Sequence, residues 1–174
     1  MDDIVLAGDL GGTNLRLAVV DRAGKLIHRV EAETPRHINA LRIVELVGSL
    51  ASECRTITGT DPKSLVFAIP GPIHAEKGEI FNVPNLPELK GSDLVGRLRK
   101  ELGIKVILEN DATAAAMGEQ WLGASRGVNS SICVTLGTGV GGGIIIDGKP
   151  LRGPDGTAGE IGHVCVEPLG PKCG

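Results

Sequence analysis

Two apolar runs open the chain, Ile4 to Leu10 and Leu15 to Val20, separated by the tetrapeptide Gly11-Gly12-Thr13-Asn14. Short apolar runs bounded by glycine read as strands joined by a tight turn. Asp21 to Lys25, containing Ala23-Gly24, predicts another turn, and the alternation from Leu26 to Ala32 predicts a third strand. The chain thus begins with three antiparallel strands. From Leu41 the spacing changes: Ile43, Val44, Val47, Leu50, Ala51 and Cys54 fall three and four apart and paint one face of a helix.

Ser64 to Pro70 predicts a short strand ending at Pro70-Gly71-Pro72, and the Gly- and Pro-rich stretch to Pro87 predicts a loop with a small hairpin near Ile80. Ser92 is the expected N-cap of a second helix, with Leu94, Val95, Leu98 and Leu102 on its apolar side and Gly103 at its end. Lys105 to Leu108 predicts a strand, and an alanine-rich helix follows Asn110-Asp111 to about Trp121. The order is three strands, helix, strand, helix, strand, helix, which by fold analogy is the ribonuclease H-like α/β arrangement of a mixed sheet flanked by helices. Ser131 to Leu136, a glycine turn, Gly143 to Asp147 and Lys149 to Arg152 then read as the same opening begun again, so one complete repeat is followed by the start of a second.

Composition narrows the classes. With 174 residues, 41% of them hydrophobic, the chain can bury an ordinary core, and with aromatics at 2% that core must be built from Val, Ile, Leu and Ala. A formal net charge of −3 with scattered Lys and Arg offers no basic face for a phosphate backbone, so nucleic acid is not an expected partner. Val128 to Ile146 carries no charge, but its five glycines and its Ser and Thr residues argue against a membrane span. The first residues have no basic-then-apolar leader, so the expected compartment is the cytoplasm, where the four cysteines at 54, 133, 165 and 173 are expected as thiols.

Candidate chemistry sits at the turns. Gly11-Gly12-Thr13-Asn14 reads either as an ordinary hairpin turn or as a cradle whose backbone N–H groups and side chains meet a phosphate oxygen. Gly137, Gly139 and Gly142 match a dinucleotide-binding spacing, but Ile144-Ile145-Ile146 predicts a strand where that fingerprint requires a helix. Gly143 to Lys149 mimics the start of a P-loop, yet Pro150 stands where the hydroxyl residue belongs. A second phosphate-binding hairpin is the reading retained. Asp111, between a strand and a helix, reads as a simple N-cap or as a carboxylate held ionised by the helix dipole and aimed to accept a proton. Cys165 is expected in a strand, packed in a core.

Several of these segments together resemble the ROK family of bacterial sugar kinases and related repressors. Asp9 to Arg16 resembles its first phosphate motif, Pro70-Gly71-Pro72 its sugar-side loop, and Glu109-Asn110-Asp111-Ala112 its catalytic segment; Leu136 to Gly143 resembles its second glycine turn, and Gly159-Glu160-Ile161-Gly162-His163 its signature. The resemblance implies an ATP-dependent hexose kinase, closest to the family's glucokinases, with Asp111 as general base. It also implies that Asp9, Gly11, Gly12, Thr13, Asn14, Gly137, Thr138 and Gly139 meet ATP and its Mg2+, and that Gly71, Asn110, Asp111, Glu160 and His163 meet the sugar. Residues 1–122 would form the N-terminal domain and 123–174 the incomplete beginning of a nucleotide-binding one. In the family a zinc site includes the positions of His163 and Cys173; only those two ligands fall within this sequence, so zinc is not expected. Open strands of the second unit predict a homo-oligomer. Two other readings compete: a non-catalytic sugar sensor, and an acetate-kinase-like phosphotransferase that leaves the Gly-Glu-x-Gly-His segment unexplained.

Overall fold

A computed structural model describes residues 4–81, 83, 86–137 and 139–171. In chain order the elements are β1 (Val5–Leu10), β2 (Asn14–Val20), β3 (Leu26–Glu33), α1 (Ala40–Thr58), β4 (Ser64–Ile69), β5 (Ile73–His74) and β6 (Glu79–Ile80). There follow α2 (Leu94–Leu102), β7 (Lys105–Asn110), α3 (Asp111–Leu122), β8 (Ser131–Leu136), β9 (Val140–Ile146) and β10 (Lys149–Pro150).

Alternation does the work in the first sheet. Leu6 and Leu10 of β1 and Leu15, Leu17 and Val19 of β2 point inward and are buried, as period-two side chains on one face must be. The strand order is β3-β2-β1-β4-β7. β1, β2 and β3 pair antiparallel, whereas β4 runs parallel to β1 and β7 parallel to β4. Parallel neighbours need long crossovers, and α1 and α2 supply them. α1 buries Ile43, Val44, Val47, Leu50, Ala51 and Cys54, and α2 buries Leu94, Val95, Leu98 and Leu102, the faces that the spacing predicts. Burial and the neighbouring Glu53 push the Cys54 thiol up, so it is an inert core group. The small hairpin expected near Ile80 is β5–β6, with Ile73 opposite Ile80.

This topology has one consequence for chemistry. β1, β4 and β7 end along the same edge, where Asp9 pairs with Ala68, Ala68 with Glu109 and Ile69 with Asn110. Polar residues at those strand ends are therefore neighbours although about 100 residues separate them in sequence.

Three sequence expectations need correction. The N-cap of α2 is Asp93, whose Oδ1 accepts the Gly96 N–H at 2.9 Å; the Ser92 hydroxyl instead donates to Leu89 O at 2.8 Å and closes the preceding 3-10 turn. β9 begins at Val140 rather than at Gly143, so Gly141 and Gly142 also lie within a strand and not in the turn. Cys165 is exposed outside any strand, not packed in a core; Cys54, Cys133 and Cys165 are free thiols. The β9–β10 turn, Asp147-Gly148, has φ of 49° and 75°, a type I′ hairpin that Asp-Gly favours.

α1 is closed at its start by Asn39, whose Oδ1 accepts the Arg42 N–H at 3.0 Å. Asn39→Ala is expected to cost about 1 kcal/mol, read as a lower urea midpoint at unchanged slope.

Candidate active site

No loop separates β7 from α3. Asn110 ends the strand and caps the helix: its Oδ1 accepts the Thr113 N–H at 2.9 Å, while its Nδ2 donates to Gly71 O at 3.1 Å and to Asp111 Oδ1 at 3.2 Å. The capping role that the sequence left open for Asp111 thus belongs to its neighbour. Asp111 stands at the first helical position, where its Oδ1 accepts the Ala112 N–H at 2.8 Å. Partial enclosure raises its pKa, the negative charge of Asp9 adds to the rise, and hydrogen bonds from backbone N–H groups and the Asn110 amide oppose it.

The second sheet, in the order β10-β9-β8, closes over α3. Its glycines are the reason it can. A methyl group built on Gly143 would strike Ala112 O and Ala116 Cβ, and one on Gly142 would strike Gly159 O and the Ile161 side chain. Bare backbone on β9 therefore brings both the start of α3 and the Gly159–His163 segment against one strand.

Between these walls lies a cleft of about 830 Å³. Asp9, Gly71, Asn110, Asp111, Gly137, Gly139, Glu160 and His163 line it, joined by Arg16, Pro70, Pro72 and Thr135. Glu160 and His163 face each other at 3.6 Å across a 3-10 turn. Thr138 and Cys173 lie outside the described residues. The tetrapeptide Gly11 to Asn14 follows Leu10 at the end of β1 and is not among the residues that line this cleft. Three bonds hold the turn: the Gly11 N–H donates to Asn14 O at 2.9 Å, Gly11 O accepts the Thr34 hydroxyl at 2.9 Å, and Thr13 O accepts the Thr34 N–H at 2.8 Å.

Sequence reasoning missed two ion pairs. Arg16 Nη1 lies 3.2 Å from Asp9 Oδ2 and its Nε 3.4 Å from Glu31 Oε2, linking three strands on the cleft side. Asp9 and Arg16 are directly opposed in the β1–β2 register, so the hairpin could have revealed them. Arg152 pairs with Glu109 across 43 residues, for which the sequence holds no local signal.

The donors fit one of the two metals that the resemblance implies. Mg2+ commonly binds through one or two carboxylates together with substrate phosphates, and Asp9 beside an open cleft can serve so. Zinc is different. A structural zinc site is usually closed by four ligands, and among the described residues no group of three or more His, Cys, Asp or Glu side chains could hold a metal ion. The His163 side chain is 81% exposed, with Glu160 its ion-pair partner at 3.6 Å.

The cleft has counterparts. A glucokinase of Thermotoga maritima is 38% identical over 165 residues, which are 95% of this chain and 51% of that protein. The crystal structure of a ROK family glucokinase from Streptomyces griseus in complex with glucose and AMPPNP superposes with a TM-score of 0.86 at 34% identity, covering 95% of this chain and 51% of that one. A ROK family transcriptional regulator, a homologue of the E. coli MLC protein, gives a TM-score of 0.85 at 25% identity, over 98% of this chain and 43% of the regulator. The chain spans about half the length of the relatives it matches. The fold is the actin-like, ribonuclease H-like one that the element order predicts. No helix among the described residues is long and apolar enough to cross a membrane. The ROK family model matches residues 5–174, and the chain belongs to the ROK family.

Proposed function

We propose that this chain forms the sugar-binding side of an ATP-dependent hexose kinase, with glucose the favoured substrate and glucose 6-phosphate the product. The observation that carries this reading is the convergence, in one cleft, of a helix-tip carboxylate (Asp111), a set of sugar-matching polar groups (Asn110, Glu160, His163) and Gly137 and Gly139 with Asp9. Likeness to the glucokinase solved with glucose and AMPPNP supports it. Residues 1–122 act as the first lobe and 123–174 as the start of the nucleotide lobe, although α3 packs on β8 and β9 as well as on β7. The protein works in the cytoplasm.

Phosphoryl transfer asks little covalent chemistry of the protein, so rate comes from alignment and charge. Asn110, Glu160 and His163 hold ring hydroxyls, because amide, carboxylate and imidazole match their alternating donors and acceptors. Asp111 takes the proton of the primary hydroxyl, whose oxygen forms a bond to the γ-phosphorus of MgATP as the bond to the β-γ bridging oxygen breaks and ADP leaves. Asp9 would help hold Mg2+ bound with the nucleotide, and that ion would supply charge neutralisation at the phosphates. Asp9, Gly137 and Gly139, which line the same cleft, are the groups assigned to the nucleotide phosphates.

A coupled ADP-release assay on the gene product that carries this chain, over a panel of hexoses and N-acetylhexosamines, tests the reading. Its pH profile is also specified. Asp111 must be ionised to act and its pKa is raised, so activity is expected to fall, as pH decreases, above the ordinary aspartate range. An acid limb at or below that range would remove Asp111 as the base.

The regulator with a TM-score of 0.85 favours a second reading, a sensor that binds sugar without turnover. Calorimetry with glucose and ATP separately, beside the turnover assay, separates the two. Ile132, Val134 and Leu136 alternate outward from β8 with exposures of 65%, 52% and 81%. The 174-residue chain is therefore expected to self-associate, and a clean monomer in light scattering would contradict this.

A further inference from the structure

Glu109 is the one carboxylate among the described residues whose side chain is almost wholly enclosed, with the residue 5% exposed, and the mechanism above gives it no task. Its neighbours suggest one. Arg152 Nε donates to Glu109 Oε2 at 3.1 Å, and Arg152 Nη2 makes a second, shorter bond to the same oxygen. On its other side Glu109 Oε1 accepts the backbone N–H of Asn110 at 3.1 Å. The carboxylate thus grips the backbone at the point where the base and the cap of α3 begin.

Arg152 is tied equally to the opposite wall. Its carbonyl accepts the Ala158 N–H at 3.1 Å and closes the 152–158 loop that leads into Glu160 and His163. That loop is wedged in place by bare backbone: Gly156, at φ 67°, rests on Ile73 O, and Gly159 rests on Gly142 O. A continuous path therefore runs from the Asn110 N–H through Glu109 and Arg152 to the residue before Gly159. It joins the two halves of the sugar wall.

We infer that Glu109 and Arg152 form a positioning pair that holds Glu160 and His163 against Asn110 and Asp111, and so sets hexose affinity and alignment without touching the sugar. The inference rests on the hexose-kinase reading for its consequence, but the clamp itself does not. An ion pair of this kind adds little net stability over apolar residues of similar size. What the guanidinium fork adds is direction, since two bonds from one planar group fix an orientation as well as a distance.

Two measurements on the gene product that carries this chain test it. Arg152→Ala strands a buried carboxylate and can fail to fold, so the double variant Glu109→Met with Arg152→Met, which removes both charges, is examined beside it, together with Arg152→Lys. In hydrogen exchange without ligand, amides from Gly156 to His163 and from Asn110 to Thr113 are expected to exchange faster in the double variant, with β1 and β4 unchanged. In steady-state kinetics the KM for glucose is expected to rise about tenfold or more and kcat to fall by up to about 10²-fold, with the KM for ATP unchanged. Arg152→Lys, a point charge without the fork, recovers part of the loss.

Unaltered exchange in a folded double variant overturns the clamp. Faster exchange with an unchanged glucose KM overturns its role in hexose affinity. If the unaltered protein phosphorylates no hexose, the kinase reading fails, and the exchange result decides the clamp by itself.

Discussion

Asp111→Asn is expected to lower kcat of the gene product carrying this chain by about 10²–10⁴-fold while leaving the thermal midpoint unchanged or slightly higher. The two halves of that result have separate causes. Turnover falls because an amide cannot accept the hydroxyl proton. Stability holds because Asn110, not Asp111, caps α3, and because the Oδ1 of an asparagine can still accept the Ala112 N–H. The sign of the pKa shift sharpens the point. A folded-state pKa raised above the unfolded value means that the favourable contribution of this group is present below the unfolded value and is lost as pH rises through the folded one. Near neutral pH the ionised carboxylate therefore works against the fold, and removing its charge relieves that opposition. A residue kept for capping would behave in the opposite way. Early unfolding with intact turnover would return Asp111 to a structural role; loss of turnover with a stable fold is the signature of a catalytic one.

Legibility of the fold followed periodicity. α1 and α2 bury the apolar positions that their spacing picks out, and β1 and β2 alternate as their sequences do. The ends of elements were harder to read, because a cap depends on which of two adjacent polar side chains reaches the free N–H: Asp93 does and Ser92 does not. The glycines of β9 were misread for a related reason. A cluster of glycines suggests a turn when only local conformation is considered, whereas Gly142 is small because the Gly159 backbone lies against it, and Gly141 because the Thr135 and Ala112 side chains do. Tertiary closeness leaves the same residue in the sequence as a turn does. At the site, residues placed by strand order could be anticipated from motifs, as with Asp9 and Asp111. The Glu109–Arg152 pair could not, since it joins positions 43 apart through a loop with no regular repeat.

Opposite outcomes are expected for two glycine-to-alanine changes at the α3–β9 contact. Gly143→Ala places a methyl group against Ala112 O and within 2.5 Å of Ala116 Cβ, on a helix face that consists of small residues with no flexible side chain to move aside. Either β9 or α3 must shift, at a cost of about 1–3 kcal/mol. Because the carbonyl it strikes belongs to the residue after Asp111, the shift also carries the base away from Glu160, so turnover falls with stability. Gly118→Ala lies on the same helix, where an added methyl meets nothing within 4 Å. There the change only removes freedom from the unfolded chain and raises helix propensity, stabilising by about 0.5–1 kcal/mol. Urea midpoints should thus move in opposite directions, and hydrogen exchange in Gly143→Ala should rise in β8 and β9 while β1 and β4 stay protected. If both variants move together, α3 does not rest on β9 through bare backbone, and the meeting of Asp111 with the Gly159–His163 segment loses its physical cause.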